Sequence, residues 1–259
     1  MLDFQAALFA LAAIALLAAT GWALSVAKHD VSIVDSLWSL FFLLGAVVYA
    51  ASLDAIGPRA ALLLALVAIW ALRLSGYITW RNRGEPEDRR YQAIRARNQP
   101  GFAWKSLYLV FGLQGLLAWV ISAPLYAGIG AAAPLSALDY AGAALWAVGF
   151  VFEAVADGQL VRFKSDPANR GKVLDHGLWR YSRHPNYFGE ALLWWGWFLV
   201  AVAAGGWWTV FAPLLMTFLL LKVSGVALLE KDIGERRPDY RAYVARTNAF
   251  IPGRPRETA

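Results

Sequence analysis

The chain has 259 residues, 59% of them hydrophobic and only 16% charged, with a mean hydropathy of +0.47, far more apolar than a soluble globular domain. It contains no cysteine, so disulfides and thiolate metal sites are excluded, and its three histidines (His29, His176, His184) lack metal-ligand spacing, so no metal is expected. The net charge of +6 comes from basic residues gathered between apolar runs, the pattern of a cytoplasmic membrane face and not of a nucleic-acid surface.

Seven apolar runs approach the roughly 20 residues that a bilayer-spanning helix needs. They lie near 4–27, 32–53, 60–80, 104–127, 137–158, 188–204 and 207–229. They predict an all-α integral membrane protein forming one membrane domain over 1–259, with membrane lipid as its surroundings. The first run carries Asp3 as its only early charge and has no cleavage-site pattern, so it reads as a retained helix and not a signal peptide. Only Ala203-Ala204-Gly205-Gly206 separates the sixth run from the seventh, which predicts a tight helical hairpin.

Lysine and arginine set the orientation. Segment 81–105 holds seven of them, 162–183 six and 231–256 seven, twenty of the chain's twenty-four. The connections near 54–59, 128–136 and 203–206 hold only Arg59. Cytoplasmic loops carry the excess of Lys and Arg, so with seven spans the N-terminus lies outside and the C-terminus inside. The basic loops 81–103 and 159–187 and the tail 230–259 then share the cytoplasmic side. Alanine richness, absent cysteine and the lack of an N-glycosylation sequon favour a bacterial inner membrane over an endoplasmic reticulum.

The first basic loop reads Arg81-Asn82-Arg83-Gly84-Glu85-Pro86-Glu87-Asp88-Arg89-Arg90-Tyr91. For any one arginine, a plain membrane-edge role competes with a ligand role. As a group they suit a polyphosphate, because guanidinium forks match phosphate oxygens bidentately. The loop after the fifth span continues the pattern with Arg162, Lys164, Arg170 and Lys172, and the tail adds Glu230-Lys231-Asp232, Arg236-Arg237 and Pro238-Asp239-Tyr240.

Charges at bilayer depth are costly unless paired or wet, and so mark functional positions by default. Asp35, Arg73, Glu153, Glu190 and Lys222 are such charges. Arg73 is the obvious partner for Asp35, either as a structural ion pair between helices or with Asp35 as a proton donor. Glu153 and Asp157 stand four apart and share a helix face, which Lys164 continues. Glu190 closes the polar run Gly177-Leu178-Trp179-Arg180-Tyr181-Ser182-Arg183-His184-Pro185-Asn186-Tyr187-Phe188-Gly189-Glu190. There a helix-start carboxylate favoured by the macrodipole competes with a ligand role, which the polar run before it favours.

Three blocks resemble the steroid 5-alpha-reductase family (3-oxo-5-alpha-steroid 4-dehydrogenase C-terminal domain) and its bacterial relatives. They are Trp80 to Tyr91, Gly177 to Glu190, and the ending Asp239-Tyr240 with Ile251-Pro252. The wider superfamily includes sterol reductases and isoprenylcysteine carboxyl methyltransferases. The resemblance implies a seven-helix enzyme that binds NADPH from the cytoplasmic side and passes hydride to a lipid-soluble enone such as a 3-oxo-Δ4 steroid. No G-x-G-x-x-G follows a strand, so a Rossmann site is not expected. The family's cofactor core falls on Asn186, Tyr187, Gly189 and Glu190, its fifth-helix acid and the base beyond on Asp157 and Lys164, and its Asn-Arg-Gly loop on Asn82, Arg83 and Gly84. Arg81, Arg89, Arg90, Glu153, Arg162, Arg170, Lys172, Tyr181, Arg183, His184 and Tyr240 complete the expected cofactor contacts. The family's catalytic carboxylate falls on Asp35, shortened from Glu and preceded by Val34 instead of Gln. Its third-helix tyrosine has no clean match; Tyr77 is nearest, with Arg73 sharing its work. The alternative is an S-adenosylmethionine-dependent methyltransferase of the prenylcysteine or phospholipid kind, for which Arg183-His184-Pro185, Glu230, Tyr240 and Tyr243 also count. A third reading, a lipid-binding scaffold, gives the intramembrane charges no reason to bear their desolvation.

Overall fold

The computed structural model describes residues 4–223, 226, 230 and 239–256. Backbone groups inside hydrocarbon must bond within their own segment or a closed barrel, and the regular structure is helical throughout, with no strand among the described residues. Two compact units emerge, one of residues 1–136 with 201–209, the other of 137–200 with 210–259.

The first unit contains α1 (Phe4–Lys28), α2 (Ile33–Ala51), α3 (Pro58–Asn82), the short amphipathic α4 (Arg89–Arg97), α5 (Phe102–Ile121) and α6 (Ala123–Ile129). Ala6, Ala10, Ile14, Ala18, Gly21 and Ser25 form one buried stripe along α1; small side chains there let its backbone approach its neighbours, α2 and α5. Polar groups in this core find partners. Ser39 Oγ donates to Ala71 O of α3 at 2.9 Å, Tyr49 and Ser122 hydroxyls pair at 2.8 Å, and Trp119 Nε1 donates to Ala7 O at 2.8 Å. Arg59, expected in an outer connection, is 1% exposed and donates to the carbonyls of Ala133 and Pro134. A π turn over Leu107–Gly112 shifts the phase of α5 ahead of Gln114.

The second unit contains α7 (Ala137–Ser165), α8 (Pro185–Ala203, from Pro185 to Val200), α9 (Trp207–Val223, from Val210 on) and the tail helix α10 (Asp239–Arg246). Its frame is an antiparallel contact between α7 and α8 through two pairs of glycines seven residues apart. A Cβ on Gly142 would lie 2.7 Å from Gly196 O, and one on Gly149 2.6 Å from Gly189 O. Only hydrogen fits between these backbones.

Among the described residues five helices (α1, α2, α3, α5 and α7) are long and apolar enough to cross a membrane, which marks the chain as a membrane protein. The sixth and seventh expected spans correspond to α8 and α9, which fall outside those five. Most of 224–229 and, in the tail, Lys231, Asp232, Arg236, Arg237 and Pro238 lie outside the described residues.

Candidate functional site

Each unit carries one polar cluster. In the first, the chain between α1 and α2 turns through Asp30, whose carboxylate accepts from Ser32 N at 2.8 Å. The loop before α4 docks there. Glu87 Oε1 accepts from Val31 N at 2.9 Å and Ser32 Oγ accepts from Asp88 N at 2.7 Å. Asp88 caps α4 by accepting from Arg90 N at 2.9 Å, a bond typically worth about 1 kcal/mol. Arg95 grips Glu87 with two hydrogen bonds of 2.9 and 2.7 Å and lies over the Phe102 ring. Burial works against the charge of Glu87, yet the bonds from Arg95 and Val31 hold its carboxyl below the usual range.

This scaffold delivers Arg90 and Tyr91 to Asp35. Arg90 Nη2 donates to Asp35 Oδ2 at 2.8 Å while its Nε and Nη2 also engage Asp88. Tyr91 O–H donates to Asp35 Oδ1 at 2.5 Å and accepts from Gln114 Nε2 at 3.1 Å. Both Asp35 oxygens therefore accept, an arrangement that suits a carboxylate. Burial, then the charge of Asp35, pushes the Tyr91 pKa well above the ordinary phenol value, so the hydroxyl stays protonated.

Among the described residues the ion-pair partner of Asp35 is Arg90, where the sequence pointed to Arg73. The Ser39–Ala71 bond shows that Asp35 and Arg73 lie at about the same level of α2 and α3, but the Arg73 guanidinium sits over the Tyr77 ring, 5.5 Å from its centroid, with Arg81 at 5.6 Å from the same ring. Tyr77 is thus embedded among cations, and the hydroxyl on Asp35 belongs to Tyr91. The signal in the sequence was Asp88 opening a short helix that carries Arg90 and Tyr91; Gln114 gave none. Arg90, expected to contact a cofactor, spends Nε and Nη2 inside the protein. Arg81 Nε bonds Asn82 Oδ1 at 3.1 Å, and Arg81, Arg83 and Arg89 stay exposed around Gly84, whose φ of 81° needs a glycine.

In the second unit, the α7–α8 contact sets the site. Glu153 and Asp157 stand one turn apart on α7, Asn186 and Glu190 one turn apart on α8, and the Gly189 backbone touches that of Glu153. Glu153, Asp157 and Glu190 are all buried. Asn186 Nδ2 donates to Asp157 Oδ1 at 3.1 Å. Because a carboxylate only accepts, this bond fixes which way the Asn186 amide points. Its Oδ1 is buried and has no hydrogen-bond partner among the described residues.

Beside it lies a buried clamp. Arg183 donates to Glu230 from Nε (2.7 Å) and Nη2 (2.9 Å), and from Nη1 to Thr247 O (2.5 Å) and Val244 O (3.3 Å). His184 Nε2 is 2.9 Å from Glu230 Oε1, Tyr240 O–H donates to that oxygen at 3.2 Å, and the His184 ring stacks parallel on Tyr187. Burial opposes the charge on Glu230, but the bonds from His184 and Arg183 outweigh it and hold the carboxyl at about 2. Burial and the charge of Glu230 raise the Tyr240 phenol. Around the clamp, Arg183 N donates to Asn248 O, Ser182 Oγ to Phe250 O, Gly253 N to Tyr181 O and Tyr243 O–H to Trp179 O, while Arg246 pairs with Asp175. The segment through α10 is thus stitched onto the loop before α8.

Arg183, His184 and Tyr240, expected on a cofactor, are bound to one another through Glu230. Arg162, Lys164, Arg170, Lys172 and Tyr181 are exposed.

A family model described as protein of unknown function (DUF1295) matches residues 21–247, a span that contains both clusters. The chain is 28% identical over 264 residues to an uncharacterized protein of the fission yeast Schizosaccharomyces pombe, covering 89% of this chain and 75% of that one. No solved structure matches it significantly.

Proposed function

The chain belongs to the DUF1295 family, and from its two polar clusters we propose that it is an NADPH-dependent reductase of a lipid-soluble enone, with a 3-oxo-Δ4 steroid as the leading substrate class. The observation that carries this reading is the Asn186 side chain, oriented by Asp157, with a buried acceptor oxygen that nothing described in the protein satisfies. An orphaned buried acceptor costs roughly 1–3 kcal/mol, and a carboxamide N–H of a ligand is the chemistry that would relieve it. Asn186 and Asp157 would hold a nicotinamide carboxamide, and Glu153 and Glu190 the hydroxyls beside it.

Bound reduced nicotinamide supplies a hydride to the enone β-carbon. The protein's own part is the developing enolate oxygen, which needs a hydrogen-bond donor that does not ionise. The first unit offers a donor of that kind in Tyr91, whose phenol is buried and kept protonated and would turn its one proton from Asp35 to such an oxygen while still accepting from Gln114. Asp35 orients the phenol, and Arg90 balances the charge of Asp35. The same reading takes up seven spans with the N-terminus outside, the C-terminus cytoplasmic and a bacterial inner membrane as the location; the clustering of twenty cations in three segments supports it.

Thermal denaturation of the purified protein with NADPH, NADH or S-adenosylhomocysteine tests the proposal, since a ligand of the native state raises the melting temperature. NADPH should raise it, and Asn186→Ala and Arg83→Ala should each weaken the effect. A shift with S-adenosylhomocysteine alone would overturn the reductase reading in favour of a methyltransferase.

A further inference from the structure

The cytoplasmic end of α7 has a second polar face, which the proposed reaction does not use. Gln159, Arg162, Phe163 and Asp166 follow one another at helical spacing and, at 100° per residue, lie roughly opposite Asp157 and Lys164. They border an open groove of about 650 Å³, closed on the far side by Asn169 and His176. The Phe163 and His176 rings lie 6.0 Å apart and give the groove an aromatic floor.

Three of its side chains, Gln159, Arg162 and His176, can donate. Gln159 Oε1 is taken by Leu178 N at 2.9 Å, which leaves the Nε2 donor. At its rim Asp166 Oδ1 accepts from Ala168 N at 2.9 Å, and Asn169 spends its Nδ2 on Phe163 O at 3.1 Å. Arg162 is exposed, and its guanidinium has no hydrogen-bond or ion-pair partner among the described residues. An unengaged guanidinium, an amide donor and an imidazole above a phenyl ring fit a phosphate oxyanion.

Helix length gives the depth. α7 has 29 residues, hence about 43 Å, whereas the hydrocarbon core is about 30 Å thick. Counted from Ala137, about 20 residues fill that core, so the chain leaves hydrocarbon near Asp157. Arg162 then stands about 8 Å beyond it, where lipid phosphates lie. The geometry points to a binding site for the phosphodiester headgroup of an anionic membrane lipid, held by Arg162, Gln159 and His176. The site is independent of the reductase reading.

The test uses full-length protein in nanodiscs of phosphatidylcholine, with and without phosphatidylglycerol, with retained lipid counted by native mass spectrometry and melting temperature followed in parallel. Wild type should retain phosphatidylglycerol about tenfold over phosphatidylcholine, the scale of one charge-assisted hydrogen bond. Arg162→Gln should abolish the preference while melting as wild type does in pure phosphatidylcholine. Lys164→Gln removes the same charge from the opposite face and should keep the preference. An unchanged preference in Arg162→Gln, or an equal loss in both variants, overturns the site. If inorganic phosphate alone raises the melting temperature as much as phosphatidylglycerol does, the groove serves a soluble phosphate and the lipid assignment falls.

Discussion

Gly189→Ala is the sharpest probe of how the second unit is built. A Cβ added there would lie 2.5 Å from both Glu153 N and Gly149 O and 3.1 Å from Glu153 Cα. These neighbours are backbone and cannot rotate away, so the helices must part by something near 1 Å, the shortfall from ordinary contact at roughly 3.5 Å. Overpacking of this kind costs about 1–3 kcal/mol. The displacement falls one helical turn from Asn186, whose 3.1 Å bond to Asp157 has little slack before it ceases to be a hydrogen bond. Gly158→Ala supplies the control, since the same methyl on α7 meets nothing within 4 Å and gains up to about 1 kcal/mol of helix propensity. Reversible unfolding in mixed micelles, followed by tryptophan fluorescence, should show Gly189→Ala destabilised by ~2 kcal/mol and Gly158→Ala unchanged or stabilised. The NADPH-induced thermal shift should fall in the first variant only. If Gly189→Ala unfolds like wild type, the close α7–α8 contact does not hold the unit together.

Tyr91→Phe should lower enone-dependent NADPH oxidation by about 100-fold or more, the usual scale for losing a positioned proton donor, while sparing NADPH binding. Asp35→Asn should likewise spare binding and reduce turnover, whereas Tyr77→Phe should cost much less than Tyr91→Phe; the reverse order would return the role to Tyr77. Arg183→Ala removes two charge-assisted bonds from the half-buried Glu230 and should destabilise the protein by ~2 kcal/mol, measured by chemical unfolding. The folded pKa of Glu230, about 2, lies below its ordinary 4.5, so its stabilisation is complete above pH 4.5 and lost as pH falls toward 2. Melting temperatures across that window should drop more steeply for wild type than for Glu230→Gln, and parallel curves would show that the clamp contributes nothing.

Much was legible in order along the chain. Helical class, apolar runs and the grouping of cations follow from rules that act on a segment by itself: a hydrocarbon layer of fixed thickness, and backbone groups that must bond within the segment. The Gly177 to Glu190 run also stood out, because polar residues abutting an apolar helix are rare without a purpose. The pairing of Asn186 with Asp157 was half-visible, each residue having been singled out but not joined to the other.

What the tertiary structure decided was partnership. Asp35 and Arg73 sit at one level of adjacent helices, which a helical count can give, but rotation about each axis turned Arg73 over Tyr77 and left Asp35 to Tyr91 and Arg90, more than fifty positions away. Arg183 and His184 looked like ligand contacts until Glu230, forty-odd positions on, took both. Spacing along one helix fixes which side chains share a face. Which hydrogen bonds close depends on the azimuth of a second helix, and here glycines at 142, 149, 189 and 196 set that approach by having no side chain to prevent it.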